Sequence, residues 1–258
     1  MFEFAFAAAA ALQAGPAISP DWRWNQQSLS CSATQDAGGG SKVGINRTPG
    51  TDLTSVTIED AGPGTPGSQQ MKLAVTLQPG GSSSGEGYVA YNPRRGRRLT
   101  VVNIDGPAFL RRLSNASALT VRGKKFGQVT VDVRSADSAV QAIRLCDEGR
   151  MRAWGMNPGT WYALQSRPRL LPDKDGLLRA SDYPPALAQA GVRGRVVVRL
   201  TVGVDGRAKD CVNVLANSNQ TLVNLVCTVA RERARFAPAV SGTAGLVEAP
   251  YIVAAEIG

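Results

Sequence analysis

Four cysteines and no histidine bound the chemistry open to this chain of 258 residues. Without an imidazole there is no Ser-His-Asp triad, no Cys-His dyad and no His-ligated zinc. Cys31, Cys146, Cys211 and Cys227 are spaced too widely for a Cys-x-x-Cys metal or redox site. Asp173 and Asp175 flank Lys174, but the remaining ligands of a calcium loop do not follow, so the segment reads as a solvated connector. The glycine run 38–40 lacks the Gly-Lys-Ser/Thr of a phosphate loop. Carboxylate-only catalysis stays compatible with the composition, yet the expectation is a non-enzymatic chain without a cofactor or a metal.

Positive charge is the other chemically active feature. The formal net charge is +9 and the isoelectric point about 9.8, mostly through arginine. The densest run is 92–98, Asn-Pro-Arg-Arg-Gly-Arg-Arg, with Arg111-Arg112 and Lys124-Lys125 elsewhere. Such a run reads either as an anion patch for phosphate or lipid head groups or as loop arginine held in water, and the second reading carries more weight. No aromatic residues are interleaved with it, so single-strand stacking and a nucleic-acid partner are not expected. Contact with an anionic envelope surface fits the charge. Trp22, Trp24, Trp154 and Trp161 read as packing residues rather than a ligand platform.

These groups need elements to hold them. Hydrophobic residues make up 43% of the chain, and 28 glycines and 15 prolines announce many turns. No apolar run approaches the ~18 residues of a membrane span. Residues 4–12 fit the apolar part of a signal peptide with cleavage after Ala14, although Glu3 stands where Lys or Arg is usual. The expected organisation is a leader over 1–20, a β-rich domain over 21–164, a linker over 165–177 and a second domain over 178–258. The linker is read from the proline-containing, charged, aperiodic stretch 167–176. Four distant cysteines fit buried thiols in a reducing compartment or bridges in an exported chain. With an export signal, one bridge per domain is expected, Cys31–Cys146 and Cys211–Cys227.

The first domain shows short alternating segments about every ten residues. Candidates are 22–25 leading to 31–34, 53–58 with Thr54, Val56 and Ile58 on one face, 71–77, 88–91, 99–104, 119–121 and 128–133. Residues 61–68 and 79–87 read as Gly/Pro and Gly/Ser loops. A single helical turn fits 108–113, and a helix fits 137–145 with Val140, Ile143 and Leu145 apolar. An antiparallel sandwich or open barrel with one helix is the expected architecture.

The second domain is the most sharply patterned part. Tyr183-Pro184-Pro185 sets an extended start, and a short helix ends at Gly191. Val196, Val198, Leu200, Val202 and Val204 alternate along a strand. Asp205-Gly206 predicts a tight hairpin with positive φ at both positions. The return strand, 208–215, places Val212 and Val214 on the apolar face. A helix follows, capped by Asn217 or Ser218, with a stripe of Leu222, Leu225, Val226 and Val229 and with Arg231, Arg233 and Arg235 at its end. A final strand covers 246–257. The order helix, strand, strand, helix, strand is an α+β unit with helices packed on a small antiparallel sheet.

Tyr183-Pro184, Gly194-Arg195-Val196, Val204-Asp205-Gly206-Arg207, Leu222 and Arg235-Phe236-Ala237-Pro238-Ala239 together resemble the C-terminal domain family of TonB, the energy transducer of Gram-negative bacteria. The resemblance covers about the last third of the chain; Ala216-Asn217-Ser218 and Val223 depart from the family pattern. It implies a periplasmic protein, associated with the inner membrane if the leader is uncleaved, that serves energy-coupled transmembrane transport. The implied partner is the extended TonB-box-like peptide of an outer-membrane receptor, added to a sheet edge. That edge is expected along the last strand, at Val247, Tyr251, Ile252, Val253, Ala254 and Ala255. A scaffolding protein that self-associates into a homodimer through the same edge is the alternative.

Overall fold

The computed structural model describes residues 21–27, 29–106, 108–171 and 177–257. The expected leader lies outside the described residues. The chain begins with strands β1 (Trp22–Gln27), β2 (Ser30–Asp36), β3 (Lys42–Arg47), β4 (Thr54–Asp60), β5 (Gly67–Gln78), β6 (Gly81–Asn92) and β7 (Arg97–Ile104). Helix α1 (Ala108–Leu113), strands β8 (Ala118–Gly123) and β9 (Gly127–Asp132), and helices α2 (Ala136–Ala153) and α3 (Pro158–Ala163) follow. All nine strands form one antiparallel sheet in the order β1-β2-β3-β4-β7-β6-β5-β8-β9. Of the two expected architectures, this is the open barrel.

The ends of the sheet approach without pairing. Trp22 Nε1 and Gln35 Nε2 both donate to the Arg134 carbonyl, at 2.6 and 3.1 Å. Helix α2 closes the remaining side, setting Ala139, Val140 and Ile143 among Ile45, Val56, Leu119 and Val131. The helix runs well beyond the expected 137–145, and Leu145 is exposed rather than apolar-facing. The stretch 79–87, expected as a loop, is mostly strand. β6 pairs with β5 from Gly81 to Tyr91 and with β7 from Glu86 onward, and this pairing outweighs the weak strand preference of Gly and Ser. Gly85 and Gly87 are required there: a Cβ would stand 1.8 Å from the Asn103 oxygen or 2.0 Å from the Val101 oxygen.

Two cross-links tie α2 to the sheet at one level. Cys31 and Cys146 are disulfide-bonded, as expected, with Cα atoms 5.9 Å apart. Cys31 faces Arg47 across the β2–β3 ladder, and Asp147 follows Cys146. Arg47 Nε donates to Asp147 Oδ2 at 2.7 Å, with side chains 2% and 0% exposed. Asp147 also accepts from Gly50 N at 3.1 Å and from the Tyr162 hydroxyl at 2.6 Å. Burial first, then the Asp147 charge and this hydrogen bond, push the Tyr162 phenol well above its ordinary value. A folded-state pKa above the unfolded one contributes stability that is full below the unfolded value and lost as pH rises through it. Melting temperature therefore falls above about pH 10, and Tyr162→Phe flattens that slope; an unchanged slope in thermal melts contradicts the assignment.

The arginine run divides. Arg94 and Arg95 sit exposed in the β6–β7 turn. Arg97 instead binds Glu59 at 3.0 Å and the Gly40 carbonyl, and Arg98 is buried against Asp60 at 3.0 Å. Half of the run, expected mainly as loop arginine held in water, is thus spent on structural pairs.

Residues 165–170, read as part of a linker, include the end of β10 (Leu164–Ser166) and β11 (Arg169–Leu170). These pair with β15 (Ala239–Ser241) and β14 (Phe236–Ala237), near the far end of the chain. Between them come a 3-10 turn at Ala180–Asp182, helix α4 (Pro185–Gln189), β12 (Gly194–Val202), β13 (Ala208–Asn213) and α5 (Gln220–Arg233). β16 (Gly245–Val247) and β17 (Ala249–Ile257) end the chain. The helix-on-sheet arrangement is the expected one.

Local details differ from the sequence reading. The turn spans residues 203–207: Gly206 N bonds the Gly203 carbonyl, Gly203 N bonds the Arg207 carbonyl, and only Gly206 takes positive φ, at +73°. Asn219, not Asn217 or Ser218, caps α5; its side chain accepts from Thr221 N and Leu222 N. The buried face of α5 holds Leu222, Val223, Val226, Cys227, Val229 and Ala230, with Leu225 only half buried. Val212 is exposed and Val214 lies on the face away from α5, because Cys211 is the residue turned to the helix, where it bridges Cys227 as expected. No described helix is long and apolar enough to cross a membrane.

Candidate functional site: the outer edge of the last strand

β12 is the centre of a three-strand sheet ordered β13-β12-β17. Val196, Val198, Leu200 and Val202 face α5, packing with Leu222, Val226 and Phe236. Val197 and Ile252 face the other way, into a cluster with Leu29, Met151, Trp154, Met156 and Trp161 from the first part of the chain. Three of the four tryptophans are thus packing residues, as expected, and two of them stand on this contact. Arg199 Nη1 reaches the Gly155 carbonyl at 3.1 Å across it. With both faces covered, the sheet offers a partner only its two edges.

The edges are not equivalent. β13 is six residues long, carries Lys209 and Asp210, and breaks register at Thr201/Val202; charge and irregularity discourage strand addition. β17 runs nine residues in unbroken antiparallel register with β12, from Ala249↔Val202 to Ile257↔Gly194.

The pairing decides which of its backbone groups face outward. Val214 N donates to the Val197 carbonyl at 3.0 Å, so Val197 turns its backbone groups to β13. Its partner on the other side, Ala254, then sits at a non-hydrogen-bonded position and directs its own N–H and C=O away from the sheet. By the two-residue period, Ile252 and Glu256 do likewise, whereas Tyr251, Val253 and Ala255 bond to β12. Pro250, which has no N–H to offer, falls on an outward position, where a strand tolerates proline.

A groove of about 290 Å³ follows this edge, lined by residues 251–255 on one side and by Leu170, Leu177 and Leu178 on the other. Tyr251 is set by an edge-on contact with Phe236, ring centroids 5.0 Å apart, and its phenol is raised by burial and by the Asp105 carboxylate. Of the six residues expected at the edge, Tyr251, Ile252, Val253, Ala254 and Ala255 stand together on β17. Val247 does not join them: it lies in β16, opposite Ala239, and Glu248 separates the two strands. The three leucines of the opposite wall were missed. Their signal was two apolar dyads, Leu170-Leu171 and Leu177-Leu178, in and beside a segment otherwise polar enough to read as a connector. The described residues hold no group of three or more His, Cys, Asp or Glu side chains able to bind a metal ion.

No curated protein matches the chain. Residues 179–252, which run from the 3-10 turn through α5 to the first half of β17, match the family described as Gram-negative bacterial TonB protein C-terminal.

Proposed function

We propose that this protein captures an extended peptide as a fourth strand along the outer edge of β17, and that the peptide is the TonB-box-like segment of an outer-membrane receptor in energy-coupled transport. The observation that carries the reading is the free, unbulged edge at 252–256 with an apolar groove beside it. In strand addition the backbone supplies affinity and alternate side chains supply specificity. Here the outward groups of Ile252, Ala254 and Glu256 supply the first, and the leucine wall accepts apolar side chains of the guest. Each backbone hydrogen bond adds about 1 kcal/mol net, so binding is of micromolar rather than nanomolar strength. A periplasmic location agrees with two disulfides, which persist in oxidising compartments.

The test is an NMR titration of the full chain with a TonB-box peptide. Amide shifts concentrated at 251–256 and at Leu177 and Leu178 are expected. Shifts centred elsewhere, or none at millimolar peptide, reject the reading. The same shifts appearing on concentration of the protein without peptide assign the edge to self-association instead.

A further inference from the structure

Arg47, buried in its ion pair, has one nitrogen that makes no hydrogen bond. Arg47 gives Nε to Asp147 and Nη2 to the Thr51 carbonyl, and Nη1 is buried without a hydrogen-bond partner. Bare buried donors are uncommon in folded proteins. Arg47 forms part of the floor of a cleft of about 860 Å³ between α1, α2 and the segment after α3. Arg111 of α1 and Arg144 of α2 line the same cleft, both exposed and neither in an ion pair among the described residues. Arg167 lines it as well, paired with Asp52 but with its Nε also unpartnered. The acids on the lining are Asp137 and Glu148, and Glu148 is engaged by Arg152 at 3.1 Å. Positive charge is therefore in excess. Leu145, exposed on α2, and Leu164 give the cleft an apolar flank.

We propose that this cleft binds a phosphate-bearing amphiphile, with the phosphate held by Arg111, Arg144 and the unused Nη1 of Arg47 and the apolar chain laid against Leu145 and Leu164. Guanidinium groups match phosphate oxygens in pairs, and three of them supply more donors than the two oxygens of a carboxylate accept. The rim arginines make the first contact. The floor donor, covered in the free protein, gains its missing acceptor when the head group seats. The site is separate from the strand edge and stands or falls independently of it.

The probes are inorganic phosphate and decyl phosphate below its micelle concentration, each titrated into the full chain by NMR and calorimetry. Both perturb the amides of residues 47–51, 111 and 144–145, leave 251–256 unmoved, and decyl phosphate binds at least about tenfold tighter. Arg144→Gln weakens decyl phosphate about tenfold, whereas Arg94→Gln, which removes the same charge from the exposed β6–β7 turn, leaves it unchanged. Equal affinity for the two probes overturns the amphiphile assignment. Silence of those amides at millimolar probe, or equal loss in Arg94→Gln, overturns the site itself.

Discussion

Asp147→Ala destabilises the protein by about 3–5 kcal/mol, because it leaves Arg47 charged, buried and unpaired. The variant also strands the Gly50 amide and the Tyr162 hydroxyl, both of which donate to Asp147. Against a typical total of about 5–15 kcal/mol, such a loss shifts the denaturation midpoint far enough to be read without ambiguity. The Cys31–Cys146 bridge remains, so α2 stays tethered to β2 and the loss is local in origin. Replacing both charges, Arg47→Met with Asp147→Leu, recovers the part due to the bare ion, since no uncompensated charge is left, while the Gly50 amide and the Tyr162 hydroxyl still lack their acceptor. Urea denaturation of the three proteins under non-reducing conditions measures the differences. A single variant within about 1 kcal/mol of the parent, or a double variant no better than the single, would falsify the account of this pair.

Nothing in the sequence marks that pair. Arg47 and Asp147 are 100 positions apart, and each stands among residues of ordinary polarity. An ion pair is set by where two backbones meet, which a local pattern does not encode. The cysteines, one pair 115 and the other 16 positions apart, were legible because the division of the chain left one pair on each side. Strand positions were legible where burial imposes a period of two, as along 54–60 and 194–202. They were not legible at 81–87, where Ser and Gly have no apolar face to show and pairing with β5, joined by β7 from Glu86, decides the conformation. The helix cap was misplaced by one or two residues because Asn217, Ser218 and Asn219 all carry a competent side chain. Asn217 instead adopts positive φ, at 65°, as the last turn before the helix. At the candidate site, the strand was readable and its opposite wall was not, since Leu170, Leu177 and Leu178 become a groove only when β11 pairs with β14.

Ala254→Pro weakens peptide capture about tenfold or more without unfolding the domain, and Val253→Pro unfolds it. The two neighbours differ in where their N–H groups point and in burial, Val253 packing against the core under α5 and Ala254 lying exposed. Val253 faces Val198 at a position that bonds to β12, so proline there removes a ladder bond inside the sheet and collides with the partner strand. Loss of binding in that variant says nothing about the edge. Ala254 has its N–H on the open side and its side chain exposed, so proline removes an outward donor and disturbs no pairing. The residue before a proline is confined to extended backbone, which Val253 already adopts as part of β17. Pro250, four positions earlier on the same side, shows that the strand accommodates the ring. The cost of Ala254→Pro to stability is within about 1 kcal/mol. Its cost to affinity exceeds one hydrogen bond, because the ring also blocks the approach of the guest strand, and about tenfold or more is expected. Ala254→Val, which keeps the N–H and adds a β-branched side chain, retains binding. Circular dichroism melts separate folding from capture, and calorimetry with the receptor peptide reads the affinity. A folded Ala254→Pro that binds peptide as tightly as the parent removes β17 as the docking edge and leaves the shorter, charged edge of β13 as the place to look.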